Sequence, residues 1–448
     1  MPFIVGKAGS GTGSYLTDEN GQPVMLRCDT VWGLPIMAGA AGGAVTWQSD
    51  IDNYCATRSA QGFNALYIAA VGTTNYSLSQ TNVNGNTWDG VAPFTGGDLG
   101  SLNDAYWQRV DYIMSSAAAQ GMTVLMNIAA SYTIYNAGGP QNGKSQAMWT
   151  NFGTALGLRY GAAANLVWAV GDDYFDDQNT LLNACVDAVK AQETVTHLWT
   201  YENFPESTSR EDMHTPANKN AGGTRNANVN FAYSYNVGYL GIEDGWTESV
   251  TPIPVIRGDG YYEVAGGDRT FSRIHLWWCL SSGARGFIYG NENVWPWPTT
   301  ALGLLTTYPF SNADFGSICN AFTGLNNWHK LVPDTASAMV TAGRGTHAAE
   351  FVSGGSGGQY ASGNVYVSAS VTADKTLAVI YIPSNVTITV NGGALLAGYG
   401  AKWMDPVTGA TSVATIASTY SNASANSLGG ADWVLTLATP PYATWTIP

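Results

Sequence analysis

Short apolar runs alternate with helical patterns over the first three quarters of the chain, and this alternation is typical of repeated βα units. Most of the runs are nearly continuously apolar, as expected for parallel strands that are buried on both faces. Eight strands with intervening helices in about 300 residues fit a (β/α)8 TIM barrel better than a doubly wound sheet. The eight runs predicted to be strands are residues 24–32, 65–71, 123–131, 166–174, 197–203, 229–235, 253–259 and 286–295.

Two of the intervening segments carry clear helix signals. Residues 104–120 place apolar side chains on one stripe at helical spacing, and Gly121 follows as a stop. Residues 49–61 repeat this plan, with Ser49 as the predicted N-cap and Gly62 after the last turn. Each helix leads directly into the next predicted strand, which is the order that a βα barrel requires.

The pattern changes after Pro333. Residues 335–448 alternate short runs of β-branched and aromatic residues with Gly, Asn and Ser turns, and they show no convincing helix. This pattern predicts a small antiparallel β-sandwich. We therefore predict two domains, a barrel over residues 1–334 and a β-sandwich over residues 335–448.

The composition narrows the class of partner. Charged residues make up 11% of the 448 residues, and 18 basic against 32 acidic residues give a net charge of −14. Such a surface cannot neutralise phosphates, so nucleic acid is excluded as a partner, and no apolar run reaches the ~20 residues of a membrane-spanning helix. A neutral surface rich in Asn and Trp suits a carbohydrate, whose C–H faces pack on aromatic rings and whose hydroxyls need polar partners.

The cysteines and the N-terminus restrict the chemistry and the location. Five scattered cysteines without C-x-x-C spacing indicate neither a disulfide framework nor a zinc site, and no other motif requires a metal or a cofactor. The first 15 residues lack the features of a secretion signal. The chain is therefore a mature form, an intracellular protein or a virion component, and we expect an extracellular or virion location.

Polar residues end most of the predicted strands. In a βα barrel the ligand lies at the carboxyl ends of the strands, so these residues are the candidates for the site. An isolated acid after a strand is commonly only a helix cap, but acids on the fourth and seventh strands together can face one another across the barrel mouth. The candidates in chain order are Asp29, Asn127, Asp172, Asp173, Glu202, Tyr235, Asp259, Glu263, Tyr289 and Trp295.

Two facing carboxyl groups indicate glycoside hydrolysis. A retaining glycosidase needs them about 5 to 5.5 Å apart, one as the acid/base and one as the nucleophile, whereas roughly 6.5 to 9.5 Å indicates inversion through a water. Aromatic residues of the same rim, Trp32 and Trp295 among them, would supply surfaces on which a sugar stacks. The alternative for these aromatic residues is packing in the barrel core.

Longer motifs connect these positions. They include YLTDENGQPVMLRCDTVW, QGFNALYI, NLVWAVGDDY, PVIRGDGYYE, SSGARGFIYGNENVW, WHKLVPD and KWMDPVTGA, which begin at residues 15, 61, 165, 254, 281, 328 and 402. In this order they resemble motifs of the apiosidase-like glycoside hydrolases, a family formerly described as a domain of unknown function. The resemblance covers nearly the whole chain, and it implies a barrel followed by a β-sandwich.

The resemblance also implies a retaining-type glycosidase with its acid/base on the fourth strand. Asp173 matches the family's Asp in "G-G-D" and becomes the predicted acid/base. Asp172 stands where the family has Gly, and this extra acid either raises the pKa of Asp173 through like-charge repulsion or faces solvent. The substrate residues implied by matched motif positions are Asp29, Trp32, Tyr262, Tyr289 and Trp295.

The seventh strand departs from the family pattern. Asp259 stands where the pattern has its first Glu, while the second Glu is kept as Glu263. Three interpretations remain, in this order: Asp259 is the nucleophile with a compensating backbone shift, Glu263 is the nucleophile, or the activity is altered or lost. A shorter side chain matters because nucleophilic catalysis is sensitive to small displacements.

A second function class is a glycan-binding adhesin or structural component of a bacteriophage tail tip, built on the same barrel. The missing secretion signal, the low charge and the altered acid on the seventh strand motivate it. In that case the partners would be a glycan and other phage tail proteins. A tail-tip hydrolase would combine both functions.

Overall fold

The computed structural model describes residues 2–72, 84–174, 179–203, 205, 207–209, 227–235, 237–247, 252–260, 262–263, 269–348 and 365–440. All eight predicted barrel strands form, most of them shorter at their ends than the apolar runs. Their bounds in chain order are β3 Leu26–Thr30, β4 Ala65–Ala69, β5 Thr123–Asn127, β6 Leu166–Tyr174, β7 Leu198–Asn203, β9 Asn230–Ser234, β10 Val255–Gly260 and β11 Gly286–Tyr289.

These strands form one parallel sheet that is nearly closed. The neighbours run β7-β6-β5-β4-β3-β11-β10-β9, and the short strand β8, Ser207–Thr208, pairs antiparallel to β9. The backbone N–H groups of Asn228 and Val229 donate to the carbonyl oxygen of Trp199 at 3.0 and 3.2 Å, which links β7 to the chain that enters β9. The predicted TIM barrel is confirmed.

Helices cover the outside of this sheet, and both segments with clear helix signals are helical. The predicted cap is wrong by three residues, because Thr46 rather than Ser49 is the N-cap. The Ser49 N–H donates to Thr46 Oγ1 at 3.1 Å and the Thr46 N–H donates to Ser49 Oγ at 3.0 Å, a reciprocal capping box. The helices are α1 Leu34–Met37, α2 Trp47–Ala60, α3 Asp104–Ala119, α4 Ser131–Tyr135, α5 Gln146–Tyr160, α6 Asn179–Gln192, α7 Gly238–Thr247, α8 Arg269–Ser281, α9 Ala301–Leu304 and α10 Phe315–Thr323.

Side chains alternate between two cores along each barrel strand, because successive residues of a strand point to opposite faces. The barrel interior is a cluster that includes Cys28, Tyr67 and Phe231, whereas neighbouring positions such as Leu66 pack against the helices. A hairpin of β1, Ile4–Ala8, and β2, Tyr15–Asp18, adds Ile4 and Leu16 to the interior cluster. The Ile4 N–H donates to Thr123 Oγ1 at 2.9 Å, so the hairpin covers the amino ends of the strands and leaves the carboxyl ends for a ligand.

The C-terminal part is a β-sandwich, as predicted. An antiparallel sheet of six strands, ordered β12-β14-β15-β20-β17-β18, faces a sheet of three strands, ordered β13-β16-β19. The strand β12 lies just before the predicted boundary at residue 334 and pairs with β14. The strands are β12 Leu331–Pro333, β13 Val340–Ala342, β14 Ser368–Thr372, β15 Leu377–Ile382, β16 Ile388–Val390, β17 Gly400–Met404, β18 Thr411–Ala414, β19 Thr419–Tyr420 and β20 Trp433–Ala438.

Helix α8 joins the sandwich to the barrel. Arg273 forms a buried, bidentate pair with Asp432 at 2.9 and 3.0 Å, and the Trp277 Nε1–H donates to the Pro406 carbonyl oxygen at 2.7 Å. Alternate residues of the six-stranded sheet, such as Val434, pack in the same core as the barrel helices. The sandwich therefore buries one face of its larger sheet against the barrel.

All five cysteines are buried thiols. Among the helices of the described ranges, none combines the length and the apolar character that a transmembrane span requires.

Candidate active site

Four carboxyl groups meet inside the carboxyl end of the barrel. Asp172 and Asp173 lie on β6, Glu202 lies on β7 and Asp259 lies on β10. Besides burial, the charge of Asp259 raises the pKa of each of the other three, and the charges of Asp172 and Asp173 also raise the pKa of Glu202, so the four groups lie near one another. The structure thus brings together the predicted acids of the fourth, fifth and seventh strands. We call these four residues the inner carboxylates.

The end of β6 has an unusual backbone. Three successive residues have positive φ, namely Gly171 at 107°, Asp172 at 113° and Asp173 at 52°. Pairing with β7 shifts register between Gly171 and Tyr174. Positive φ is readily adopted only by glycine, so this turn stores strain at the two aspartates, as is common where a backbone must present functional side chains.

Asp173 is partly exposed, unlike the other inner carboxylates. The Tyr233 hydroxyl donates to its Oδ1 at 2.9 Å. Burial and the charge of Asp259 nevertheless raise the pKa of Asp173 to about 6, although the Tyr233 hydrogen bond opposes the shift. A carboxyl group with this pKa can hold a proton near neutral pH and release it again, as an acid/base must.

Asp259 is buried and anchored on one side. Its Oδ1 accepts the Gly260 N–H at 2.7 Å, and Tyr262 also hydrogen-bonds its side chain. Burial raises the pKa of Asp259, while the Tyr262 hydrogen bond, the Arg257 charge and the Gly260 N–H oppose that rise. Tyr262 can pack here because residue 290 is glycine, since a Cβ at Gly290 would lie 1.9 Å from the Tyr262 ring.

Glu202 is held by the residues of neighbouring strands. Its Oε2 accepts the Tyr67 hydroxyl at 2.5 Å, and Asn127 Nδ2 donates to the same phenol oxygen at 3.2 Å. Asn127 is fixed in turn, because its Oδ1 accepts the Ala129 N–H at 3.0 Å and its Nδ2 also donates to the Gly171 carbonyl oxygen. The predicted residues Asn127 and Glu202 are therefore connected directly to the strained end of β6.

Aromatic side chains lie beside the inner carboxylates. The rings of Trp32 and Trp295 are 5.4 Å apart, and Trp32 also meets Tyr67 edge to face at 5.9 Å. The hydroxyl oxygens of Tyr233 and Tyr235 are 3.0 Å apart. Burial and the charge of Asp259 raise the pKa of Tyr235. Three predicted substrate residues, Trp32, Tyr235 and Trp295, thus lie with the interior cluster.

Asp29 lies on the other face of its strand and is completely buried between the barrel and the helices. Its Oδ2 accepts Arg58 Nε–H at 2.7 Å and the Tyr54 hydroxyl at 2.9 Å. The Arg58 guanidinium lies over the rings of Phe63 and Tyr289 at 5.0 and 5.5 Å. This ion pair binds β3 to helix α2, so Asp29 does not join the inner carboxylates.

Glu263 also lies on the helix-facing side. Its Oε2 accepts the Tyr289 hydroxyl at 2.7 Å, and its two oxygens accept the N–H groups of Phe310 and Ser311 at 3.1 and 3.3 Å. These donors open the helical turn that precedes α10. The structure therefore brings Glu263 and Tyr289 to each other and to this turn rather than to Asp173.

Two residues of the site, Tyr67 and Tyr233, escaped the sequence reasoning. Both are interior residues of barrel strands, and each donates to an inner carboxylate. The search for polar residues at the very ends of strands passed over them, since Tyr67 lies inside β4. The alternation of interior and helix-facing positions is the signal that finds them.

Comparison with known proteins identifies the family. Residues 10–341, about three quarters of the chain, match the family described as apiosidase-like, catalytic domain. The chain belongs to the apiosidase-like family. No curated protein matches the sequence.

The fold of this apiosidase-like protein also occurs in solved structures of glycoside hydrolases. A glycoside hydrolase family 5 protein from Bacteroides vulgatus superimposes with a TM-score of 0.76 at 17% identity, over 100% of this chain and 97% of that chain. A second structure, described as a glycoside hydrolase, gives a TM-score of 0.74 at 16% identity, over 98% and 97% of the two chains. The chain therefore shares the fold of these two structures over nearly its whole length.

The described residues of this apiosidase-like protein contain no group of three or more His, Cys, Asp or Glu side chains placed to hold a metal ion. Within the described ranges, phenols donate hydrogen bonds to Glu202 and Asp173. Asp259 accepts the Gly260 N–H and lies near the positive charge of Arg257.

Proposed function

We propose that this apiosidase-like protein is a retaining glycoside hydrolase, with Asp173 as the acid/base and Asp259 as the nucleophile. One observation carries the proposal. The partly exposed Asp173 faces the buried Asp259 across the barrel mouth, and the charge of Asp259 helps to raise the pKa of Asp173 to about 6. Two carboxyl groups whose environments separate their roles are what the hydrolysis of a glycosidic bond requires.

The surroundings fit these two roles. In the first step, protonated Asp173 donates its proton to the glycosidic oxygen while ionised Asp259 attacks the anomeric carbon. The Gly260 N–H, the Tyr262 hydrogen bond and the Arg257 charge all favour the ionised form of Asp259. In the second step, Asp173 takes a proton from the water that releases the sugar from Asp259.

Glu263 is the weaker candidate for the nucleophile. Its oxygens accept the Tyr289 hydroxyl and two backbone N–H groups, and these donors lie on the helix-facing side of the barrel. A shorter nucleophile opposite Asp173 requires a compensating backbone shift, and the positive φ of Asp172 and Asp173 at the end of β6 is the irregularity that would supply it.

The substrate we propose is a polysaccharide of a plant or bacterial cell wall that carries furanose-like or branched sugars. The furanose preference rests on the family alone. The Trp32 and Trp295 rings, 5.4 Å apart at the rim, would contact the C–H face of a sugar. An extracellular or virion location, with phage tail proteins as partners, is part of this proposal, and mass spectrometry of purified virions tests it.

The experiment is product release from pectic and actinobacterial cell-wall polysaccharides by the wild type and by three variants, Asp173→Asn, Asp259→Asn and Glu263→Gln. We expect sugar release by the wild type, and a loss of about 100- to 10,000-fold in the Asp173→Asn variant. The Asp259→Asn variant should be at least as impaired. Circular dichroism confirms that each variant is folded.

Three outcomes would overturn the proposal or its assignment of the nucleophile. Unchanged turnover in folded Asp173→Asn protein would remove the acid/base. If no glycan is cleaved by the wild type and one is bound, the barrel is an adhesin on a disused active site. Loss of turnover in the Glu263→Gln variant but not in Asp259→Asn would exchange the two candidate nucleophiles.

A further inference from the structure

Glu202 has one oxygen that the protein leaves unused. The residue is fully buried at the end of β7, and its Oε2 accepts the Tyr67 hydroxyl at 2.5 Å. Its Oε1 is also buried and has no hydrogen-bond partner among the residues that the structure describes. An unsatisfied buried carboxyl oxygen is costly, so it calls for a functional explanation.

The hydrogen-bond donors and acceptors next to Glu202 can be assigned one after another, from Asn127 to Tyr67. Asn127 Oδ1 accepts the Ala129 N–H, which makes Nδ2 the donor, and Nδ2 donates to the Tyr67 oxygen. The only proton of the Tyr67 hydroxyl therefore goes to Glu202 Oε2. No residue of the described ranges donates to Oε1, so an ionised Glu202 would carry a buried, unpaired negative charge there.

The negative charges around Glu202 raise the free energy of its ionised state further. Three carboxyl groups face it, those of Asp172, Asp173 and Asp259. The other groups that face it are the phenols of Tyr67, Tyr132, Tyr235 and Tyr262. Burial, followed by the charges of Asp259 and Asp172, raises the pKa of Glu202 well above its ordinary value.

We propose that Glu202 is a neutral carboxylic acid whose Oε1–H donates a hydrogen bond to a hydroxyl oxygen of the sugar bound beside Asp259. The identity of the ligand as a sugar rests on the proposed function. In this role Glu202 is a specificity-determining residue, since it selects a sugar that carries an oxygen at that position. A sugar that is deoxygenated there loses the contact and leaves the Glu202 Oε1–H unpaired.

The protonation state is tested by charge and needs no substrate. The electrophoretic mobility of native Glu202→Gln protein at pH 7 is compared with that of the wild type and of Glu19→Gln, where an exposed glutamate is changed in the same way. We expect Glu19→Gln to shift the mobility by one elementary charge and Glu202→Gln to leave it unchanged. An equal shift in both variants would overturn the proposal.

The donor role is tested on the cleaved polysaccharide with Glu202→Gln and Glu202→Met. The amide keeps an N–H donor, so we expect Glu202→Gln to lower kcat/KM by about 10-fold or less and Glu202→Met by about 100-fold or more. Equal losses in the two variants would refute the donor role.

The measurements distinguish a failure of the hydrolase proposal from a failure of the Glu202 proposal. If the wild type cleaves no glycan, the hydrolase proposal falls, while the mobility measurement still decides whether Glu202 is neutral. Glycan affinity then replaces kcat/KM, and the same ranking of the amide and methionine variants is expected. Equal affinities would again refute the donor role.

Discussion

The barrel contains two sets of buried acids, and their surroundings are opposite. The inner carboxylates Asp172, Glu202 and Asp259 face other acids. On the helix-facing side, Asp29 is paired with Arg58 at 2.7 Å, and Glu263 accepts one phenolic and two backbone donors. Burial is nearly the same in the two sets, so burial alone does not separate function from structure.

What separates them is the sign of the charge that each acid faces. Burying an acid is costly, and the partners of the helix-facing acids offset part of that cost while they connect barrel strands to helices, although burial still raises the pKa of Asp29 despite Arg58 and Tyr54. The inner carboxylates face one another's negative charge, and the hydrogen bonds that they accept leave the pKa of all four raised. Crowded, poorly paired acids are common at active sites, and this property supports the proposed assignment of the inner carboxylates.

The largest expected effect comes from removing the proposed nucleophile. The Asp259→Gly variant should lose more than about 1,000-fold in turnover, because the covalent step loses its attacking atom. Added azide fits the space left by the side chain and should restore part of the turnover, giving a glycosyl azide that mass spectrometry detects. The helix-facing Glu263→Gly variant is the matched control.

Azide should not restore turnover in the Glu263→Gly variant, whose missing side chain lies between Tyr289 and the turn before α10. If azide restored turnover in the Glu263→Gly variant and not in the Asp259→Gly variant, Glu263 rather than Asp259 would be the nucleophile.

Breaking the ion pair on the helix-facing side should instead cost stability. Arg58→Met leaves Asp29 buried without its cation, and we expect unfolding free energy to fall by about 3 to 5 kcal/mol. Urea denaturation followed by tryptophan fluorescence measures the change. In the double variant Arg58→Met with Asp29→Leu, most of the loss should disappear, because both charges are gone. A double variant as unstable as the single one would contradict the pairing argument.

The two kinds of acid should also give opposite pH dependence. The folded-state pKa of Asp173 is raised to about 6, so its contribution to stability is complete below pH ~4 and is lost as the pH rises to about 6. Relative to the wild type, Asp173→Asn should therefore gain on the order of 2 kcal/mol between these pH values. Thermal unfolding across this range measures the gain.

Asp405 of the sandwich is the control of opposite sign. Partial burial opposes ionisation there, but the N–H groups of Val407, Thr408 and Ser427 outweigh it and lower the pKa of Asp405. Its contribution is present above the unfolded-state pKa and is lost as the pH falls. Asp405→Asn should accordingly lose stability relative to the wild type as the pH rises, and a gain in both variants would contradict the assignment.

The fold followed from the sequence because its signals are local and repeated. Eight apolar runs, the stripe of residues 104–120 and the change of pattern after Pro333 each depend on short spacing, and each appears in the structure. Which face of a strand each side chain occupies requires a closer reading of the pattern. Period-two alternation places Cys28 inside and Asp29 outside, and by the same rule it would have found Tyr67 and separated Tyr289 from the site.

The remaining features depend on contacts that no spacing reveals. The donors to Glu263 come from residues 310 and 311, far along the chain, and Thr46 precedes the first apolar position of its helix. The positive φ at Asp172 and Asp173 cannot be predicted from the sequence either, since aspartate does not indicate a backbone conformation that glycine usually adopts.

The smallest effect we predict tests this strain. Asp172 has φ of 113° and is buried, and its Oδ2 has no hydrogen-bond partner within the described part of the chain. Asp172→Gly removes both the strain and the unpaired group, so unfolding free energy should rise by about 1 kcal/mol or more. Urea denaturation at pH 7 measures the change, and the melting temperature should rise with it.

The variant Asp172→Asn divides this gain into its two causes. The amide keeps the strained backbone and removes only the acid, so its stability should lie between those of the wild type and Asp172→Gly. If the amide matches glycine, repulsion among the inner carboxylates explains the cost and the backbone contributes little. If the Asp172→Gly variant is no more stable than the wild type, Asp172 is not strained, and the contrast between the acids that face cations or donors and the acids that face one another fails at Asp172.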